Sequence, residues 1–152
     1  MARGKALLPH DFMRKLERID KDINGITQKV LNQGADFVLP KLKAKARSVV
    51  GKGTKYPSRS TGEAVDSIGK SPVKKNRRKG IDVKLGVADP RKRQPKNARL
   101  PLTNAMLLNI IEYGKKEVDQ DAKPIIRPIE TQYKDQTLSL MARELDKEVG
   151  DI

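Results

Sequence analysis

The 152-residue chain contains no cysteine, no tryptophan and a single histidine. Without cysteine there can be neither a disulfide framework nor a thiolate metal site. The lone histidine, His10, cannot hold zinc without several carboxylate partners. Its setting, Pro9-His10-Asp11 ahead of an amphipathic stretch, reads as an exposed residue before a helix cap. Aromatic residues are nearly as scarce, with two Phe and three Tyr. The core must therefore be built from Leu, Ile, Val and Ala, which favours helix-on-helix or helix-on-sheet packing over an aromatic-rich sandwich. No apolar run approaches the length of a membrane span, and Ala6-Leu7-Leu8 is too short for the core of a signal peptide. These absences predict a soluble protein of the cytoplasm in which it is made, with no cofactor and no metal. Hydrophobic residues make up only 36% of the chain, so some apolar surface is expected to be buried between subunits.

Positive charge is what the sequence has in excess, +14 in all. It is concentrated in the middle of the chain. Residues 70–99 carry 12 Lys/Arg against 2 Asp/Glu, whereas residues 100–152 carry 7 against 10. That asymmetry predicts one face for a polyanion and another for a protein partner.

Apolar periodicity predicts an α+β domain over residues 11–152, preceded by a flexible arm over residues 1–10. From Asp11, the positions Phe12, Leu16, Ile19, Ile23, Ile26 and Val30 step by three and four, a helical stripe. Gly34 and Pro40 predict a break or kink near 34–40. A second stripe then follows through Val38, Leu42, Ala46 and Val49, with Lys41, Lys43, Lys45 and Arg47 on its solvated side. Ser60-Thr61-Gly62-Glu63 reads as a capping box opening a short helix through Ala64, Val65 and Ile68. Residues 70–75 read as an edge strand because of Pro72. The turn from Asn76 to Gly80 leads into Ile81, Val83, Leu85 and Val87, which alternate with polar residues or glycine and define a strand. Residues 88–101 are proline-rich and basic, a long irregular loop of the kind that usually carries function. Thr103 caps a helix that stops at Gly114, and Pro128 falls in the first turn of a last helix through Ile129, Tyr133, Leu140, Met141 and Leu145. The expected architecture is thus long N-terminal helices, a small antiparallel sheet and two C-terminal helices.

Three stretches, taken in order, resemble the tail-component family of lambda-like siphophages, small proteins assigned to tail completion or the neck. Ser60-Thr61-Gly62-Glu63-Ala64-Val65-Asp66-Ser67-Ile68 is similar to the family's Thr-Gly-x-Leu-x-x-Ser-Ile element. Asn109-Ile110-Ile111-Glu112-Tyr113-Gly114 looks like its Glu-Tyr/Phe-Gly-Thr signature. Ala122-Lys123-Pro124-Ile125-Ile126-Arg127-Pro128-Ile129 is similar to the element that opens its last helix. The resemblance covers roughly residues 30–148. It implies a virion protein of the head–tail junction, made in the host cytoplasm, that forms a homo-oligomeric ring between head-closure and tail ring proteins. It also singles out Thr61, Gly62, Ser67, Ile68, Glu112, Tyr113, Gly114, Pro124, Arg127 and Pro128 as structural or assembly residues.

Each feature has a plainer account beside this one. Gly114 supplies a left-handed helix cap, Tyr113 packs on the core and Glu112 is solvated, or the segment takes part in a subunit contact. Arg77, Arg78 and Lys79 at the hairpin tip, with Arg91, Lys92, Arg93, Lys96 and Arg99 in the long loop, would repel one another without an anion. Duplex DNA, met through its phosphates, is one candidate, and an acidic neighbouring ring protein is the other. The shortage of aromatics there argues against single-strand stacking. A free-standing, non-specific nucleic-acid-binding protein is the alternative function. A metal-dependent nuclease is a third: Asp82-Val83-Lys84 matches half of such a site, but its upstream acidic partner is missing and Asp66 is a loose substitute. Gly51-Lys52-Gly53-Thr54-Lys55 lacks the spacing of a nucleotide-binding turn. The sequence thus favours a non-enzymatic virion protein.

Overall fold

A computed structural model describes residues 10–53, 62–76, 80–87 and 103–150. Its elements in chain order are α1 (His10–Val49), α2 (Glu63–Asp66), β1 (Ile68–Lys70), β2 (Lys74–Asn76), β3 (Gly80–Asp82), β4 (Leu85–Val87), α3 (Asn104–Tyr113), a single 3-10 turn (Lys116–Val118) and α4 (Ile126–Gly150). The class is α+β, as the sequence predicts. No helix among the described residues is long and apolar enough to cross a membrane.

The expected break at 34–40 is absent: α1 is one helix of 40 residues that contains Pro40. Gly34 and Pro40 are both explained by position. A Cβ at Gly34 would sit 2.7 Å from Met141 Sδ and 3.5 Å from Thr137 Cγ2, so the glycine lets α4 approach α1 closely. Pro40 lies on the exposed side, where the carbonyl it leaves without an amide partner can be met by water. The two helices run antiparallel. Lys29 Nζ meets Glu148 at 2.8 Å near the end of α4, and the rings of Phe37 and Tyr133 pack edge to face at 6.2 Å further along. Tertiary packing along this pair outweighs the roughly 3 kcal/mol helix penalty of a proline.

The strands form one interrupted hairpin. Ile68 pairs with Val87 and Lys70 with Leu85, while Lys74 pairs with Asp82 and Asn76 with Gly80. Between the two pairings, three residues (71–73) oppose two (83–84), so one leg holds an extra residue, a β-bulge. Pro72 sits in that bulge, where no ladder donor is required. Ser71 closes it, with its N–H donating to the Lys84 carbonyl at 2.8 Å and its Oγ accepting the Lys84 N–H at 3.0 Å. The strand expected over 81–87 is correspondingly split in two. On the other leg, the expected 70–75 strand is split around Pro72.

The short helix also begins later than the capping-box reading requires. It starts at Glu63, with Gly62 in the N-cap place at φ 80° and no side-chain cap; Ser60 and Thr61 lie outside the described residues. Ile68 belongs to β1, not to this helix, because the helix stops after one turn at Asp66. Leu42, Ala46, Val65, Ile68, Ile111, Ile125 and Ile129 form the buried core. It is aliphatic, as the near absence of aromatic residues demands.

Candidate functional site: the junction of α3 and α4

The α3 helix opens as the sequence predicts, with Thr103 Oγ1 accepting the N–H of Met106 at 3.2 Å. At its other end Gly114 N–H donates to the Ile110 carbonyl at 2.7 Å. Gly114 has φ 74° and ψ 168°, a region essentially closed to other residues, though not the left-handed helical cap expected. A Cβ there would lie 2.7 Å from Ala122 N and 2.8 Å from Gln120 O. Glycine is thus required both by its own backbone and by the strand-like segment that returns past it. That return is held by Lys115 and Gln120, which exchange backbone hydrogen bonds, and by Lys123 N–H donating to the Ile111 carbonyl.

The returning segment delivers the start of α4 to the side chain of Glu112, which is not solvated as expected but only 4% exposed. The first N–H groups of any helix lack intrahelical acceptors. In α4 they belong to residues 125–128, none of which carries a capping side chain. The Glu112 carboxylate accepts from Ile125 N at 2.5 Å, Ile126 N at 2.9 Å and Arg127 N at 3.3 Å. The fourth group does not exist, because residue 128 is proline. One buried carboxylate and one proline therefore satisfy the helix start completely. Burial by itself pushes the Glu112 pKa up and is the largest single influence. The three backbone donors, helped by the Arg127 charge, outweigh it and hold the carboxyl below its usual value.

Tyr113 does not pack on the core. It is 60% exposed, with the Arg127 guanidinium 5.0 Å from its ring centroid. Ile126 beside it is 57% exposed. These side chains stand at the mouth of an apolar groove of about 630 Å³ lined by residues including Leu85, Leu108, Ile125, Ile129, Tyr133 and Leu138. Neither the groove nor the role of Glu112 is legible in the sequence. The one signal there is a helix start, Pro124-Ile125-Ile126-Arg127-Pro128, with no Ser, Thr, Asp or Asn to cap it.

The remaining expected site residues fall as follows. Gly62 and Ser67 flank α2, and the Ser67 hydroxyl donates to the Ala64 carbonyl at 2.6 Å. Ile68 is in the core. Pro124 is exposed just before Ile125. Thr61, Arg77, Arg78, Lys79, Arg91, Lys92, Arg93, Lys96 and Arg99 lie outside the described residues. Of the helical cations, Lys41 is not simply solvated: its Nζ lies 3.6 Å from the Phe37 ring centroid and 5.1 Å from that of Tyr133. Asp82 faces Lys74 across the hairpin, and Asp66 lies 3.7 Å from Arg47. Among the described residues no three His, Asp or Glu side chains are grouped to hold a metal.

The junction is thus a fully hydrogen-bonded corner beside an exposed apolar groove. Over residues 10–123 the chain matches the family described as "HK97-gp10_like: Bacteriophage HK97-gp10, putative tail-component", and it belongs to that family. The matched span takes in α1 to α3 together with Glu112 and its Gly114 stop, and ends just before the segment that opens α4. No curated protein and no solved structure matches the chain.

Proposed function

We propose that this tail-component protein is a non-enzymatic subunit of the head–tail junction, a neck or tail-completion protein that works as a homo-oligomeric ring around the path of the DNA. The observation that carries the proposal is the exposed apolar groove beside Tyr113 and Ile126, held in place by the fully capped junction of α3 and α4. Monomers do not usually leave a large apolar groove open to water, whereas assembly subunits need one. Its partners are other copies of the chain, together with the head-closure and tail rings on either side.

The basic segments meet the phosphates of the passing duplex. Support comes from the hairpin legs, where Lys74, Lys75 and Lys84 are exposed. Phosphate contacts give affinity without sequence reading, which suits a channel past which DNA slides. A free-standing nucleic-acid-binding protein would share that charge but would have no use for the groove.

The test is complementation of a phage lacking this protein with a labelled copy, followed by imaging of virions. Label in a ring between head and tail is expected. Label along the tail tube, or particles that join normally without the protein, would remove the assignment.

A further inference from the structure

The helix α1 is longer than its partner. The end of α4 meets α1 at Lys29, through Glu148, and the first buried residue of α1 among those described is Ile26. Residues 10–25 continue past that point as sixteen residues of helix, roughly 24 Å. The stripe that packs on α4 runs on into this overhang. There Ile23 is 47% exposed and Ile19 half-buried. Exposed Asp20 and Asp22 stand one on each side of the Ile19–Ile23 line, while Arg14 and Lys21 lie on the opposite side of the helix.

The groove at the other end of the molecule is the complement. Its floor is largely aliphatic, its lining on α4 includes Glu130 and Lys134, and the exposed Arg127 lies against Tyr113 at its mouth. An apolar ridge with an acidic residue on each side fits an apolar groove whose edge offers two cations, Lys134 and, beside Tyr113, Arg127. The overhang cannot fill the groove of its own chain. The groove lies at the level of Val38 and Leu42, fifteen or more residues along the same uninterrupted helix from Ile23, about 22 Å.

We infer that the overhang of α1, through Ile19 and Ile23, docks in the α3–α4 groove of a second copy of this chain. This rests on the ring reading above and supplies its contact. Ridge and groove are different surfaces, so the contact is head to tail. Each subunit gives one overhang and receives one, and such contacts close into a ring when the rotation allows.

Two variants of the full chain test it by light scattering and native mass measurement. Ile19→Asp/Ile23→Asp spoils the ridge, and Leu138→Glu spoils the groove at a position already 54% exposed. Circular dichroism and melting temperature serve as the check that both remain folded. The wild type should form oligomers, and each variant alone should be monomeric. Mixed together they should give heterodimers and nothing larger, because each keeps one sound half of the contact. Asp20→Lys/Asp22→Lys should weaken association at least tenfold at low salt, and Lys134→Glu in the same chain should recover it. Oligomers of wild-type size from the ridge variant, or mixtures without heterodimer, overturn the docking and leave the ring in place. A wild type that stays monomeric at several hundred micromolar overturns both.

Discussion

Glu112 shows how one side chain can secure the start of a helix that follows it in the chain. Its carboxylate serves three backbone donors at the start of α4, so Glu112→Ala leaves three N–H groups, that of Ile125 buried, without their acceptor. The expected loss is about 2–4 kcal/mol, measured by denaturant unfolding. Glu112→Gln keeps the shape but turns an amide N–H toward the same donors or leaves one of them unmet, and should cost nearly as much. The pH dependence follows from the lowered pKa. A carboxyl held lower in the folded chain than in the unfolded one contributes stability above its unfolded value. That contribution is lost as the pH falls from the usual 4.5 through the lower folded value. Wild type should therefore lose stability more steeply on acidification than Glu112→Gln, and parallel acid titrations of the two would count against the cap. Gly114→Val meets two obstacles, a positive φ and backbone atoms 2.7 and 2.8 Å from its Cβ. A loss of at least about 2–3 kcal/mol is expected, and unchanged folding would show that the return past Gly114 is misplaced.

At the scale of elements, the packing of α1 on α4 turns on Gly34. Gly34→Leu should destabilise by about 1–3 kcal/mol through overpacking, and Met141→Ala in the same chain should recover much of that by opening the space. An additive double variant would mean that the two residues are not in contact. The same glycine explains what the sequence can and cannot tell. Helices, the Thr103 cap, the Gly114 stop and the Pro128 start are legible because each is set by local periodicity or local turn chemistry. The continuity of α1 is not, since Gly34 and Pro40 read locally as breakers and only α4, a hundred residues later, makes one of them useful. The hairpin is legible as strands but its bulge is not, because register belongs to two legs at once. The role of Glu112 is hidden for a similar reason. Two short motifs, Glu-Tyr-Gly and Pro-Ile-Ile-Arg-Pro, look independent along the chain and are halves of one hydrogen-bonded junction. The groove depends on five elements meeting, α1, β1, β4, α3 and α4, which periodicity cannot report.

At the scale of the whole molecule, charge and apolar surface are separate resources. The apolar groove is lined mostly by the helices, with Leu85 and Val87 of β4 on one side, whereas the highest density of positive charge falls in residues 70–99. If Arg91, Lys92 and Arg93 meet DNA phosphates, the free protein should bind duplexes of unrelated sequence equally well, with affinity falling steeply as salt rises. Replacing the three together by Gln should flatten the plot of log affinity against log salt by roughly 0.9 for each phosphate no longer neutralised. On the proposed reading heads should still join to tails through the groove, and the DNA should be held or delivered less well at the neck. An acidic neighbouring protein as the true partner gives the opposite pair of results: joining fails and the salt slope for naked DNA is unchanged. Both quantities are measured on one variant, binding by titration at several salt concentrations and joining by counting complete particles. The groove gives an internal control, since Leu138→Glu should abolish joining while leaving the salt slope of the monomer as it was. A triple-Gln variant that behaves like Leu138→Glu in both assays would place these cations in a protein interface and take DNA out of the account.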